Sequence, residues 1–490
     1  MGNRVGQLTP IIGAVVIVVV TTIVSVNIPL IAAGAVVLFP PLLFALARQV
    51  DGWRWLLGLT MTLLLCASSK LPDLVDASFY ARYVAVAALV VWALCTPSRT
   101  VFRIDPWTRL LIGALWATGG LATLSFAWSV VPLETLQRGI ALLLLAALVH
   151  VLLRFRWPAR AVMMADLRVV YLVLSASALV SLGLGLTDGT LLAALSRTER
   201  FEGLYNNPNM LGVVCALTIP LGWTVYRQSR RRAELLGVVP VTACLLLSQS
   251  RTGLIAVLVG ALWIVLRHGL GRLARLTAGL TAGLLVAYLF NLLPVIFAAP
   301  WMQQFVLRFT DPAGGDLSNG RTEMWRATVD LWWQNRPALG FGYASRNHLV
   351  SLAGLDESFG PGVSVVHNSY LQLLLELGLA VVPTLLLLLL AVGRVVLRAP
   401  VRRANSGLVW LVVTGLLIQI TESAIFGTGQ AYPYVFWSVV AGVLLHLPED
   451  QAHAGRDAAD RTEPSDAEPH PERISGLVDD LPRRPSPVLR

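Results

Sequence analysis

Four residues in this chain combine a reactive side chain with a position that ordinary membrane topology does not explain: Arg200, Arg251, Arg321 and His367. Guanidinium is planar, permanently charged and matched to phosphate oxygens two at a time. Imidazole is the side chain whose ordinary titration range suits a general base near neutral pH. Two or three such arginines with one such histidine could hold a diphosphate and deprotonate an attacking hydroxyl.

Each residue also has a plainer reading. Arg251 lies in Ser248-Gln249-Ser250-Arg251-Thr252-Gly253, a very short polar turn between two apolar runs. It either snorkels to head groups or joins a helix N-terminus in binding an anion. Arg200 precedes Asn206-Asn207-Pro208-Asn209. A first-turn Pro208 capped by Asn206 or Asn207 explains that run but leaves Arg200 unexplained. Arg321 opens a Trp-rich segment after Asn319-Gly320, and a cation in a first helical turn opposes the helix dipole, which points to a ligand-facing role. His367 stands beside Asn368 at the entry to an apolar run, as a base or as part of a cap. Arg326, Arg336, Arg346 and His348 read as solvated loop charges.

These residues must be positioned by membrane-spanning helices. Hydrophobic residues make up 56% of the 490-residue chain and charged residues 13%, against about 25% charged in soluble proteins. Mean hydropathy is +0.69. The fold class is therefore all-α, a polytopic integral membrane protein. Such a composition excludes a secreted domain, a cytosolic enzyme and a disordered scaffold. The net charge of +10 does not indicate nucleic acid, because the basic residues are scattered rather than gathered on one soluble face. Cys66, Cys95, Cys215 and Cys244 sit in apolar stretches with no metal-ligand spacing and read as small buried hydrophobes.

A bilayer core of about 30 Å needs about 20 apolar residues per helix. Apolar runs fall near 10–26, 28–47, 54–69, 79–96, 108–127, 135–153, 169–187, 208–226, 235–249, 252–266, 276–297, 369–393, 407–424 and 430–447. The shortest are candidates for half-spans, so 12–14 transmembrane helices are expected. The first run reads as a retained span, since a second follows at once without a small-residue cleavage site. Alternating the loops with the N-terminus inside places clusters such as Arg227, Arg230, Arg231 and Arg232 in the cytoplasm. The short outer segments then hold only Lys70, Arg82, Arg138, Arg197, Arg200 and Arg251, as the positive-inside rule requires. Both termini are thus expected in the cytoplasm, and the inner arginines need no role beyond topology.

The expected organisation is N-terminal transmembrane helices over 1–190 and central helices with the outer arginine motifs over 191–297. A large extracytoplasmic loop follows over 298–366, then C-terminal helices over 367–447 and a polar, disordered cytoplasmic tail over 448–490. Within the loop, Arg321–Asn335 has Met324, Thr328 and Leu331 with Trp325, Trp332 and Trp333 at helical spacing. That pattern suits an amphipathic interfacial helix ending before Pro337, with a turn at Gly340-Phe341-Gly342. The outer carboxylates (Asp73, Asp76, Asp188, Glu199, Glu202, Asp311, Asp316, Glu323, Asp330, Asp356 and Glu357) form no DxD or ExD cluster, which disfavours a metal-dependent transferase.

Between residues 190 and 390 the sequence resembles the O-antigen ligase and polymerase superfamily, membrane transferases of undecaprenyl-diphosphate-linked glycans. The resemblance rests on His367-Asn368 followed by nine residues, Gly378 and Val381; on Arg251 in Ser250-Arg251-Thr252-Gly253; on Gly320-Arg321 with Trp325, Pro337, Gly340 and Gly342; and on Arg200 with Asn207-Pro208-Asn209. Twelve helices are usual for its ligases, so this chain is expected to be a longer branch or to carry two false spans.

The resemblance implies a metal-independent, inverting glycosyltransferase without a cofactor, active on the outer face of a bacterial cytoplasmic membrane. Its donor would be an undecaprenyl-diphosphate-linked glycan, and its acceptor a glycan, lipid or protein hydroxyl. Arg251 and Arg321 would hold the diphosphate, His367 would be the base, and Arg200 a further phosphate or sugar contact. Asn207, Asn209, Asn368, Tyr370 and Trp325 would flank the substrate. A polymerase of the same superfamily is one alternative. A transporter or flippase of lipid-linked glycans is another, disfavoured because few charges lie inside the spans, Glu376 being the main one.

Overall fold

A computed structural model describes residues 52–96, 104–196, 199–269, 321–346, 348–349, 366–400 and 405–462, with isolated helical positions between 271 and 307. The described residues form helices and no strand beyond an isolated bridge between Ser69 and Tyr205. The chain is an all-α polytopic membrane protein. Its helices are α1 (Gly52–Cys66), α2 (Pro72–Cys95), α3 (Pro106–Leu124), α4 (Pro132–Val151), α5 (Arg160–Thr187), α6 (Thr190–Ser196) and α7 (Pro208–Ser229). After a short turn of helix come α8 (Val238–Ser248), α9 (Arg251–Arg267), α10 (Arg321–Asn335), α11 (Ser369–Leu377), α12 (Val382–Arg398), α13 (Asn405–Thr421) and α14 (Ala431–Thr462).

Among the described residues, six helical stretches are long and apolar enough to cross a bilayer, and four shorter ones are apolar. Each expected span within the described residues falls on helix, that at 369–393 being split between α11 and α12; those at 10–26 and 28–47 and most of 276–297 lie outside them. Prolines fix the starts of α2, α3, α4 and α7, where the missing N–H costs nothing. Helix α14 runs on past Leu447 to Thr462, into the segment expected to be a disordered tail. The sequence there gives a local reason: Ala452, Ala454, Ala458 and Ala459, interleaved with charged residues, favour helix.

Helix α7 is central and packs on α5, α8, α9 and α13. Around it α3 pairs with α4 and α12, and α9 with α13. At the end expected to face the cytoplasm, arginines do more than set topology. Fully buried Asp166 accepts bonds from the indole nitrogens of Trp53 and Trp157, both 3.0 Å, and from Arg54 and Arg156. Arg267 donates to the carbonyls of Val396 and Ala399, tying α9 to the end of α12.

The opposite end is built on a broken helix. Between α11 and α12 the chain passes through Gly378, at φ +62°, and a turn of 3-10 helix. Such a break inside an apolar layer must find new partners for its backbone groups. The segment after α10 supplies them. The amides of Phe341 and Gly342 donate to the carbonyls of Leu375 and Glu376 at 3.1 and 2.8 Å, while those of Leu379 and Ala380 donate to Pro337 and Ala338. A methyl group at Gly378 would lie 2.4 Å from the Ala338 oxygen, and one at Gly340 2.5 Å from the Glu376 carbonyl carbon, so both positions need glycine.

Candidate functional site

The four singled-out residues come from four different elements at this end of the bundle. Arg321 begins α10, as expected, and reaches across to the last turn of α13. There it donates to the Thr421 carbonyl at 2.6 Å and to Oε1 of Glu422 at 3.2 Å. Glu422 is the shared partner. Its Oε1 also accepts from the Asn209 side-chain amide at 3.2 Å, and its Oε2 lies 3.2 Å from Nδ1 of His367. With a side chain only 13% exposed, the carboxylate is largely withdrawn from water and is stabilised by three donors from three segments.

His367 is held in a left-handed backbone conformation, φ +48°. That region is sparsely populated for a residue with a Cβ, so its surroundings must impose it. On one side the indole of Trp325 donates to the carbonyl of Val366 at 2.8 Å, and Val366 is fully buried beside it. On the other, the Asn368 side chain accepts from the amides of Tyr370 and Leu371, capping α11. Asn368 is therefore the cap and His367 is not; the imidazole turns to Glu422 instead. Tyr370 is half-buried against the main apolar core.

Arg200 donates to the Ser248 carbonyl at 3.0 Å and to the Asn209 side-chain oxygen. Asn209 links it to Glu422. Asn207 caps α7, accepting from the Asn209 amide at 2.7 Å, while its own backbone is extended. The turn carrying Arg251 is shaped by Gln249, at φ +48°, and by Ser250, whose hydroxyl accepts from the Gly253 amide. Arg251 sits half-buried at the start of α9. Its neighbour Thr252 exchanges a 2.7 Å hydroxyl contact with Thr421, the residue before Glu422. The structure thus gathers Arg200, Asn209, Arg321 and His367 around Glu422, with the Arg251 turn packed on the same strand of chain. Trp325 and Asn368 brace the histidine, and Asn207 braces α7.

Glu422 is the residue sequence reasoning missed. The expected span 407–424 ran straight over it, although α13 ends at Thr421. The available signal was a carboxylate between Thr421 and Ser423 at the end of an apolar run. One loop charge needs correction: Arg346 bonds to the side chain of Gln372, fastening the loop to α11. Arg336 is exposed as expected and also donates to the Trp128 carbonyl at 2.9 Å, in the turn between α3 and α4. His348 is exposed as expected, 3.4 Å from Glu134.

Chemically, a carboxylate can only accept, so the His367–Glu422 pair places the imidazole proton on Nδ1. Nε2 is then the open lone pair, as in hydrolase triads where a buried carboxylate fixes the tautomer. Beside it stand guanidinium groups able to meet a phosphate. Among the described residues, no group of three His, Cys, Asp or Glu side chains is placed to hold a metal ion.

Residues 236–388 match the family described as O-antigen ligase. The match supports the O-antigen ligase and polymerase superfamily. It spans Arg251, Arg321, Trp325, His367, Asn368 and Tyr370; Arg200, Asn207, Asn209 and Glu422 lie outside it. No curated protein matches the chain.

Proposed function

We propose that the chain is a membrane glycosyltransferase of ligase type, moving a glycan from undecaprenyl diphosphate to an acceptor hydroxyl on the outer face of a bacterial cytoplasmic membrane. The observation that carries this reading is the convergence of His367, Arg321 and the Arg200–Asn209 pair on Glu422. The ligase family match over 236–388 supports the same class of activity.

In this reading the acceptor oxygen attacks the anomeric carbon from the face opposite the diphosphate. The carbon–oxygen bond to the diphosphate breaks, and the configuration inverts. Nε2 of His367 takes the hydroxyl proton, and Glu422 stabilises the resulting imidazolium. Charge develops on the departing undecaprenyl diphosphate, where Arg321 and Arg251 meet it, with Arg200 as a further contact. Groups fixed before substrate arrives need no reorganisation as that charge appears. The Arg321–Glu422 pair and the Arg321–Thr421 bond supply such fixing. Helix α10, with exposed Trp333 and buried Met324, Thr328 and Trp332, covers the site at the membrane surface.

The test is release of undecaprenyl diphosphate from a lipid-linked glycan by purified protein, with EDTA present, in wild type, His367→Ala and Arg321→Ala. Release in wild type that disappears in both variants supports the transferase. Full release in either variant overturns these roles. The product then separates a ligase from a polymerase, which would use the same chemistry on a second lipid-linked glycan.

A further inference from the structure

Helix α11 is apolar except along one face. Ser369, Gln372 and Glu376 follow each other at spacings of three and four, so they share one side of the helix, and all three are buried. Ser369 serves the Glu422 segment. Its hydroxyl contacts Oε1 of Gln419 at 2.7 Å and the Glu422 carbonyl at 3.2 Å, and it accepts from the Ala424 amide at 2.9 Å. Gln372 lies one turn further on. Its Nε2 donates to Oε1 of Glu376 at 3.0 Å, and its Oε1 accepts from Nη1 of Arg346. A guanidinium can only donate, so Gln372 must turn its oxygen to Arg346 and its nitrogen to Glu376. The Glu376 carboxyl thereby fixes the amide that holds the arginine.

Arg346 is held at this one corner. Among the described residues its guanidinium makes no other hydrogen bond and no ion pair. Its other nitrogens are not sealed in. The side chain is half-buried and, unlike Arg82, Arg168, Arg227 and Arg394, has no buried nitrogen without a partner. Those nitrogens therefore keep access to solvent. Two neighbours place them beside the Glu422 centre. Gln372 stands about 5.4 Å along α11 from Ser369, which touches the Glu422 backbone. The buried phenol of Tyr432 lies within electrostatic reach of both Arg346 and Glu422. We propose that Arg346 is a further substrate-binding residue, whose open fork takes a phosphate or carboxylate at the margin of the Glu422 site, with Gln372 and Glu376 as its positioning residues. The inference rests on the transferase reading for its ligand: the oxyanion belongs to the lipid diphosphate or to an acidic sugar.

The experiment is a thermal-shift titration of the full-length protein in detergent at constant ionic strength. One arm uses undecaprenyl diphosphate; the other uses glucuronate, with glucose as its uncharged control. Arg346→Gln should raise the half-saturating concentration of one probe by about tenfold or more, the loss expected for a hydrogen bond to a charged group. The unliganded Tm should stay near wild type. Weakening of undecaprenyl diphosphate assigns the lipid diphosphate, and weakening of glucuronate an acidic sugar. Gln372→Met keeps the charge of Arg346 and removes its anchor, so it should weaken the same probe by a smaller factor and spare the other. Should Arg346→Gln fold poorly, Arg346→Lys, which keeps the charge but not the fork, reads the same selective shift. Unchanged half-saturation for both probes in Arg346→Gln overturns the proposal. If Arg321→Gln still weakens undecaprenyl diphosphate there, the transferase reading stands. Equal weakening of both probes with a lowered unliganded Tm marks a structural arginine and also overturns it. A wild type that ignores undecaprenyl diphosphate but binds glucuronate through Arg346 sinks the transferase reading and leaves the oxyanion site.

Discussion

Nδ1 of His367 lies 3.2 Å from Oε2 of Glu422, although the two residues begin and end different helices and His367 must adopt φ +48° to make the approach. A strained backbone that delivers a side chain to a withdrawn carboxylate is a recurring feature of functional sites. If the pair acts as base and orienting carboxylate, Glu422→Gln should lower kcat for glycan transfer by about 10²- to 10⁴-fold, the range of general-base catalysis. His367→Ala should cost a similar factor, and the double variant little more than either single one, because the two act as a unit. Additive losses would separate the roles of the two residues.

Arg321 spans two acceptors at once, the Thr421 carbonyl and the Glu422 carboxylate. A lysine at this position keeps the charge but not the fork. Arg321→Lys should therefore stay about tenfold or more below wild type in transfer rate, with protein yield and Tm near normal. Full activity in the lysine variant would reduce Arg321 to a simple charge.

Trp325 reaches the site through the backbone. Its indole donates to the Val366 carbonyl at 2.8 Å, beside the strained His367. Trp325→Phe keeps an aromatic ring and removes that bond, worth about 1 kcal/mol. The expected effect is a fall in kcat of about fivefold with KM little changed. A change in KM alone would instead indicate that the ring contacts substrate.

The helices were legible because hydropathy and the distribution of arginine are properties of local sequence. Each expected span within the described residues falls on helix, and α10 begins at Arg321 as its Trp spacing required. What was illegible depends on chain that is far away in sequence. Glu422 disappeared into an apolar run because its partners, Arg321 and His367, lie 101 and 55 residues away. Arg82 looked like one more outer charge until Gly429, 347 residues on, was placed against it. The break at Gly378 was visible as a glycine in a motif, but not its clasp with Phe341 and Gly342. Inner arginines read as topology alone because Asp166, which gathers Arg54 and Arg156, sits in the middle of an apolar pattern.

That clasp makes a stability prediction. Gly378 combines φ +62° with a close approach to Ala338. Gly378→Ala adds both strain and a collision, so a loss of about 1–3 kcal/mol is expected, read as a lower Tm in detergent. Limited proteolysis after α10 should speed up, since the bonds to Leu375 and Glu376 hold that segment. A Tm equal to wild type would mean that the break between α11 and α12 tolerates a side chain.

On the same end of the bundle, Lys70 donates to Asp188 at 2.7 Å, pinning the turn between α1 and α2 to the end of α5. Partial burial opposes ionisation of Asp188, but bonds from Lys70 and Thr190 outweigh it and bring its carboxyl down to about 2. An unperturbed aspartate titrates at about 3.9. Because the folded value is the lower one, the pair's contribution is fully present above about pH 4 and disappears as pH falls through about 2. With the carboxylate side chain 37% exposed, solvent screening limits that contribution to under about 1 kcal/mol. Lys70→Ala should therefore lower Tm slightly at neutral pH, and its difference from wild type should shrink as pH falls from 4 to 2. A difference that persists unchanged at pH 2 would show that Lys70 acts through packing and not through the carboxylate.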